Sequence, residues 1–121
     1  MALSITNQAT AFTTKLLLET DAQSSTPVID ATGTSGVLYT IHADNSANGG
    51  TIYLQIYDGT DLTVGTTAPT MTFPLTASSE ISLTFPGGWA FTSLSFWAVP
   101  DERQAMSSDP GNAVKLAIVT S

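Results

Sequence analysis

Alternation of apolar and polar residues with a period of two runs through most of this chain. Side chains on a strand point to opposite faces in turn, so this pattern predicts β-strands, and no segment shows a convincing helical period. The segments with this alternation are residues 13–20, 37–43, 51–57, 70–76, 80–85, 93–99 and 114–118. Pro74 cannot donate a ladder hydrogen bond, which predicts that residues 70–76 form an edge strand.

The apolar positions of these segments define a predicted core. In residues 37–43 the odd positions, Val37, Tyr39, Ile41 and Ala43, are predicted to face inward. Across the whole chain, the predicted core consists of Leu16, Leu18, Ile41, Ile52, Leu54, Ile56, Phe73, Ile81, Leu83, Phe85, Leu94, Phe96, Leu116 and Ile118.

Turn residues separate the predicted strands. Residues 45–50 predict a hairpin loop, and residues 86–88 and 109–112 carry strong Pro-Gly turn signals. The longer segments 24–36 and 59–69 are predicted to cross between sheets. Short strands joined in this way predict an all-β fold, a single antiparallel two-sheet β-sandwich with seven to eight strands, jelly-roll-like or immunoglobulin-like.

The chain has the size of one domain. Its 121 residues are 42% hydrophobic, which is enough for a core. Residues 13–121 are predicted to form the sandwich, and residues 1–12 an N-terminal arm or short strand. The first residues lack a basic start followed by a long apolar run, so we expect no signal peptide.

Composition excludes several function classes. The net charge is −7 and Lys and Arg number 3, so we expect neither nucleic acid nor an anionic membrane as a partner. The chain contains no cysteine and a single histidine, His42. Nucleophilic, acid–base and metal chemistry draw on these residue types, so we expect no catalytic residues, no metal and no cofactor, and a protein that is not an enzyme.

Two polar groupings represent alternatives to that expectation. His42 and Asp44 share the outward face of one predicted strand, as a base and its orienting acid would, but a surface histidine is the simpler interpretation. Asp58 and Asp61, with Asp44 in a neighbouring loop, could supply oxygen ligands for Ca²⁺, although their spacing is not that of an EF-hand. Residues 33–36 precede a strand instead of a helix, which argues against a phosphate loop.

Aromatic and charged residues form the predicted interface. Tyr and Trp supply large rigid contact areas, so the aromatic residues could cap the core, bind a protein or form a platform for sugars. Tyr53, Tyr57 and Trp97 are predicted to face outward, and a polar rim is predicted in the loop after residue 100. The candidate interface residues are Tyr53, Tyr57, Trp89, Trp97, Asp101, Glu102 and Arg103.

Over residues 35–120 the chain resembles the small β-sandwich structural proteins of tailed-bacteriophage virions. The resemblance is a pattern of strands and turns, without a catalytic motif. The segments that carry it are residues 37–45 (VLYTIHADN), 51–58 (TIYLQIYD), 64–69 (VGTTAP), 71–75 (MTFPL) and 85–91 (FPGGWAF).

This resemblance implies a non-enzymatic virion structural protein. We expect a capsid decoration (cement) protein, made in the host cytoplasm, that binds the major capsid protein on the capsid exterior as a homotrimer and stabilises the particle. A phage tail or fibre-adaptor component is the alternative within the virion. A carbohydrate-binding β-sandwich module is the alternative from another class.

Overall fold

The structure, a computed structural model, describes residues 14–101 and 108–121. These residues form strands and no helix, as predicted. The seven strands are β1 (Lys15–Glu19), β2 (Gly36–Asp44), β3 (Ile52–Asp58), β4 (Met71–Leu75), β5 (Glu80–Phe91), β6 (Leu94–Val99) and β7 (Lys115–Thr120). The predicted arm at residues 1–12 lies outside the described residues.

Two antiparallel sheets form the sandwich. One sheet has four strands in the order β1-β7-β2-β5, and the other has three in the order β4-β3-β6. β4 is an edge strand, which confirms the prediction made from Pro74.

The strand order is that of a jelly roll. In an immunoglobulin sandwich the last strand belongs to the sheet opposite the first two. Here β7, the last strand, lies between β1 and β2. An antiparallel bridge from Val28 to Phe96 lies beside β6, where an eighth strand would complete the two Greek keys of a jelly roll. Of the two architectures left open by the sequence, the topology therefore selects the jelly roll.

Most of the predicted core is confirmed. Phe73 of β4 and Phe85 of β5 are half-buried and meet edge to face between the sheets, with ring centroids 5.7 Å apart. Ile81 and Leu83 are also half-buried against the core. The fully buried predicted residues are Ile41, Ile52, Leu54, Ile56, Leu94, Phe96, Leu116 and Ile118.

The orientation predicted for β1 is wrong. Leu16 and Leu18 are 63% and 71% exposed, whereas Leu17 packs against the core. Leu17 pairs with the buried Ile118 of β7, which places both side chains on the inner face of the sheet. Three consecutive leucines satisfy either orientation of a strand, so the register with β7 decides which of them is inside.

The orientation predicted for the start of β2 is also wrong. The register of β2 with both neighbouring strands shifts between Leu38 and Thr40. As a result Leu38 is fully buried and Tyr39 is 38% exposed, while Ile41 and Ala43 face inward as predicted. A bulge inserts one residue and reverses the alternation on one side of it.

The turn predicted at residues 86–88 is wrong, because β5 continues through it. Gly87 and Gly88 have φ values of 75° and 81°, a conformation that glycine adopts without steric cost. A Cβ at position 88 would overlap the side chain of Val37, so this glycine also permits close approach of the strands. The two glycines bend the strand instead of reversing it.

Two of the three loop assignments are wrong for a common reason. Residues 45–50 connect β2 to β3 in the opposite sheet, so they do not close a hairpin. Residues 59–69 connect β3 to β4 within one sheet, so they do not cross. Residues 24–36 do cross as predicted, because Val28 pairs with Phe96 of β6 in the three-stranded sheet before the chain returns to β2. Loop length and turn residues do not determine which strands pair, because pairing depends on contacts distant in sequence.

Buried asparagines hold the loops together at one end of the sandwich. Asn45 is fully buried, and its Nδ2 donates to the carbonyl oxygen of Leu75 at 3.0 Å. Asn48 donates from Nδ2 to Asn45 Oδ1 at 2.9 Å and accepts at Oδ1 from the backbone N–H of Asn112 at 2.9 Å. Side-chain amides therefore supply the partners that loop backbone lacks.

Candidate functional site

The outer face of the four-stranded sheet changes from apolar to polar across its width. Leu16 lies opposite Val119, and Leu18 lies opposite Ala117, so these four residues form two apolar rows at the β1 side. On β2 the same rows continue with Thr40 and His42, and on β5 with Thr84 and Ser82. We call Leu16, Leu18, Ala117 and Val119 the leucine patch; an exposed apolar patch with a polar border is typical of a binding surface.

A shallow groove runs beside the leucine patch. It has a volume of about 260 Å³, and Ala117, a small residue, contributes to its lining between Leu18 and His42. Asp44, Glu80 and Lys115 line it as well. The groove therefore combines apolar surface with charges of both signs.

His42 belongs to a polar cluster on this face. Its Nδ1 lies 3.0 Å from Ser82 Oγ and its Nε2 lies 3.3 Å from Glu80 Oε1. The sequence suggested Asp44 as its partner, but cross-strand pairing brings these two β5 residues to the imidazole instead. The side chains of His42 and Glu80 are 49% and 59% exposed, unlike the water-excluded setting that makes charge stabilisation effective in catalysis. The geometry is that of cross-strand polar pairs on a solvated sheet.

Two of the three carboxylates considered for Ca²⁺ have local structural roles. Asp58 Oδ1 accepts hydrogen bonds from the backbone N–H groups of Thr92 and Ser93 at 2.8 and 2.9 Å. Asp44 Oδ1 accepts from the backbone N–H of Ser46 at 2.9 Å, and Asp61 is exposed. Within residues 14–101 and 108–121, no group of three or more acidic or histidine side chains could hold a metal ion.

Two carboxylates have a pKa below the ordinary value. Hydrogen bonds from the side chain and backbone of Ser46 lower the pKa of Asp44, and the positive charge of Lys115 adds to this more weakly. The pKa of Asp109 is lowered by hydrogen bonds from the backbone and hydroxyl of Ser25 and from Ser24. Asp109 thereby ties residues 24–25 to the segment before β7.

The candidate aromatic residues share one face but differ from the prediction in exposure. Tyr53, Tyr57 and Trp97 lie on the outer face of the three-stranded sheet, where Gln55 pairs with Trp97. The two tyrosines are half-buried, but Trp97 is only 1% exposed, so the prediction that its side chain is exposed is wrong. Trp97 Nε1 and Gln55 Nε2 are buried donors with no hydrogen-bond partner among residues 14–101 and 108–121. An indole in this position cannot serve as an exposed sugar platform.

The remaining candidate interface residues lie elsewhere. Trp89 of β5 is half-buried, packs against the core and lies beside Phe91, with ring centroids 6.1 Å apart. Asp101 is half-buried after the end of β6. Glu102 and Arg103 lie outside the described residues. The described tryptophans thus contribute to packing, and the leucine patch presents the exposed apolar surface.

Sequence reasoning missed the leucine patch, although one signal pointed to it. A strand sends consecutive side chains to opposite faces, so three leucines in a row place at least one of them on the outer face. The partner strand was needed to show that two of the three are outside. Ala117 and Val119 were equally ambiguous, because a small or β-branched residue fits either face of a sheet.

Comparison of this chain with protein-family models, with curated proteins and with solved structures finds no match. Over the part of the chain that the structure describes, no helix has the length and apolar character needed to cross a membrane.

Proposed function

We propose that this chain is a non-enzymatic structural subunit of a virion, a capsid decoration protein that binds the major capsid protein through the leucine patch. The exposure of Leu16 and Leu18 carries the binding role. Leu16 and Leu18, on the same face of β1, remain more than 60% exposed and contribute little buried area to the isolated chain, so their transfer from water into an interface is favourable.

The virion assignment is supported by the resemblance of the strand and turn pattern to phage virion proteins. Jelly rolls occur in viral capsid proteins and also in lectins, so the fold is compatible with the assignment without selecting it. The buried Trp97 and the half-buried Trp89 favour a protein partner over a sugar, because a sugar platform requires an exposed aromatic ring. The homotrimer expected from the sequence stays a prediction, and part of its basis, an exposed Trp97, is lost.

Incorporation into particles tests this function. Purified virions would be compared when they carry the natural chain, the double variant Leu16→Ser/Leu18→Ser or the control Thr84→Ala, which alters the same face at the opposite edge. We expect hundreds of copies per particle for the natural chain and the control, and a strong loss of the double variant. Particles without the chain should lose integrity at a lower temperature than complete ones.

Other outcomes of this experiment would point elsewhere. Tens of copies or fewer per particle would identify a tail or fibre-adaptor component. Equal incorporation of the double variant would show that the leucine patch is not the attachment surface. Absence from virions, together with retention on immobilised polysaccharide that Tyr53→Ala abolishes, would favour the carbohydrate-binding alternative.

A further inference from the structure

Of the four strand edges that border the two sheets, β1 differs from the others in its protection. β4 contains Pro74, and β5 contains Pro86 followed by Gly87 and Gly88, whose left-handed conformations interrupt the regular strand. The edge of β6 is occupied by Val28, whose N–H and carbonyl bond to Phe96 at 2.9 Å each. Proline, bulges and covering segments are among the means by which sheet edges avoid pairing with another chain.

Within the residues that the structure describes, β1 has none of these three devices. Its five residues, KLLLE, contain neither proline nor glycine, and it pairs with β7 in a regular register. In the part of the chain that the structure describes, no strand pairs with its other edge. An apolar edge strand of this kind is a template for a further strand.

We propose that β1 pairs antiparallel with β1 of a second copy of this chain, about a two-fold axis at Leu17. The strand is complementary to itself in this arrangement. Lys15 lies opposite Glu19 of the second copy, and Glu19 opposite the second copy's Lys15, so both charge pairs are attractive. Leu16 lies opposite Leu18 of the second copy, on the outer face of the sheet.

This pairing joins the two four-stranded sheets into one sheet of eight strands. The same strand contributes from both copies, as in any two-fold interface, and the pair closes without exposing a further β1 edge. The leucine patches of the two copies become neighbours on one face, whereas the two Leu17 side chains meet on the core side. The dimer itself does not depend on a virion partner.

The expected dimer is weak. Five residues from each strand bury much less than the roughly 1,200 Å² at the lower limit of standard stable interfaces. Dissociation on dilution is therefore expected, and the two pairs between the exposed Lys15 and the half-buried Glu19 contribute a measurable share of the affinity. Such pairs are also screened by salt, so affinity should fall as ionic strength rises.

Charge exchange at the ends of β1 tests the register. Sedimentation velocity from micromolar to millimolar concentration would measure the dissociation constants. The samples are the natural chain, Lys15→Glu, Glu19→Lys, an equimolar mixture of these two variants, and the double exchange Lys15→Glu/Glu19→Lys. Each single variant creates two like-charge pairs, and we expect its dissociation constant to rise about tenfold. The mixture and the double exchange restore opposite charges and should restore association.

Lys115→Glu is the matched control. It makes the same change in net charge as Lys15→Glu on an exposed residue of β7, away from the β1 edge, and should leave dimerisation unchanged. Thermal unfolding of every variant would confirm that the fold is retained.

A cysteine pair provides a second measurement. The natural chain has no cysteine, so Leu16→Cys and Leu18→Cys each introduce one thiol. Directly opposed residues have Cβ atoms about 4.5–5.5 Å apart, whereas diagonal neighbours are about 7–8 Å apart. Oxidation of the mixture should therefore form the heterodimer faster than either variant alone forms a homodimer.

Three outcomes would overturn the proposal. One is a chain that stays monomeric at ~1 mM, a concentration at which even very weak complexes are populated. Another is the homotrimer expected from the sequence, formed in place of this dimer. The third is a dimer in which neither the charge mixture nor the thiol pair shows the opposed register.

Discussion

Replacement of Asn45 by alanine should destabilise this domain more than any loop substitution of similar size. Asn45 is fully buried although it lies in a loop, and both the nitrogen and the oxygen of its side-chain amide form hydrogen bonds. Its Nδ2 donates to the carbonyl oxygens of Gly50, Leu75 and Thr76 at 3.2, 3.0 and 3.2 Å. Its Oδ1 accepts from Asn48 Nδ2 at 2.9 Å.

The magnitude follows from the number of hydrogens. An amide group carries two donor hydrogens, so three carbonyls share at most two full hydrogen bonds, and the bond from Asn48 is the third. At a net value of about 1 kcal/mol for each hydrogen bond, Asn45→Ala costs about 3 kcal/mol of unfolding free energy. The cost is larger if water does not reach the carbonyl groups that lose their donor. For a domain of this size a loss of about 3 kcal/mol corresponds to roughly 10 °C in Tm.

Urea unfolding followed by tryptophan fluorescence measures the change. The control is Asn112→Ala, which removes one exposed hydrogen bond from Nδ2 to the Ala47 carbonyl and should cost about 0.5 kcal/mol. Equal losses for the two variants, with unchanged m values, would refute the reasoning that the buried network holds the loops.

Asn45→Asp distinguishes the contribution of the donor hydrogens from that of the acceptor oxygen, because a carboxylate keeps the acceptor and lacks the donors. The introduced carboxylate keeps the shape but faces three carbonyl oxygens in a dry site, which raises its folded-state pKa above the unfolded value. The loss of stability should therefore be largest at neutral pH and diminish as pH falls through that raised value.

Three further predictions follow from burial and hydrogen bonding. Leu18→Ser should change the free energy of unfolding by less than about 0.5 kcal/mol, whereas Leu17→Ser should cost about 2 kcal/mol; chemical denaturation of both variants checks the register of β1. Gln55→Met should stabilise the domain by about 1 kcal/mol, because it replaces a buried amide whose Nε2 has no partner among the described residues, and a lowered Tm would contradict this. Asp109→Asn should cost about 1 kcal/mol at neutral pH, a value that allows for solvent screening of this exposed carboxylate. Since the folded-state pKa of Asp109 is lowered, its contribution is present above about pH 4 and is lost as pH falls through the folded value, so natural and variant chains should converge in acid.

Local pattern predicted some sites reliably and failed at others for identifiable reasons. Pro74 predicted an edge strand because a missing donor is a property of one residue, whatever its neighbours do. The turn predicted at residues 86–88 is absent, because glycines with positive φ fit both a turn and a bulge. Only the pairing of β5 with β2 distinguishes these two conformations. Trp97 was placed on the correct face, but the accessibility of a face depends on the rest of the fold.

The candidate site shows the same division. The scarcity of His, Cys and basic residues was evident from the sequence and led to the expectation of a binding surface. The position of that surface was not evident from the sequence, because the residues of the Lys15–Glu19 strand are compatible with either of its faces pointing inward. The complementarity of KLLLE with itself is visible in the sequence, but it acquires meaning only once β1 is seen to be a sheet edge.

The sequence by itself determined the all-β class, the strand positions and most of the core, because alternation and turn residues act over a few neighbouring positions. Tertiary structure decided the jelly-roll order, the bulge at Tyr39, the burial of Trp97 and the exposure of Leu16 and Leu18. These features depend on which strands pair and in which register. A shift of one residue in register exchanges the two faces of a strand, and no local pattern contains that choice.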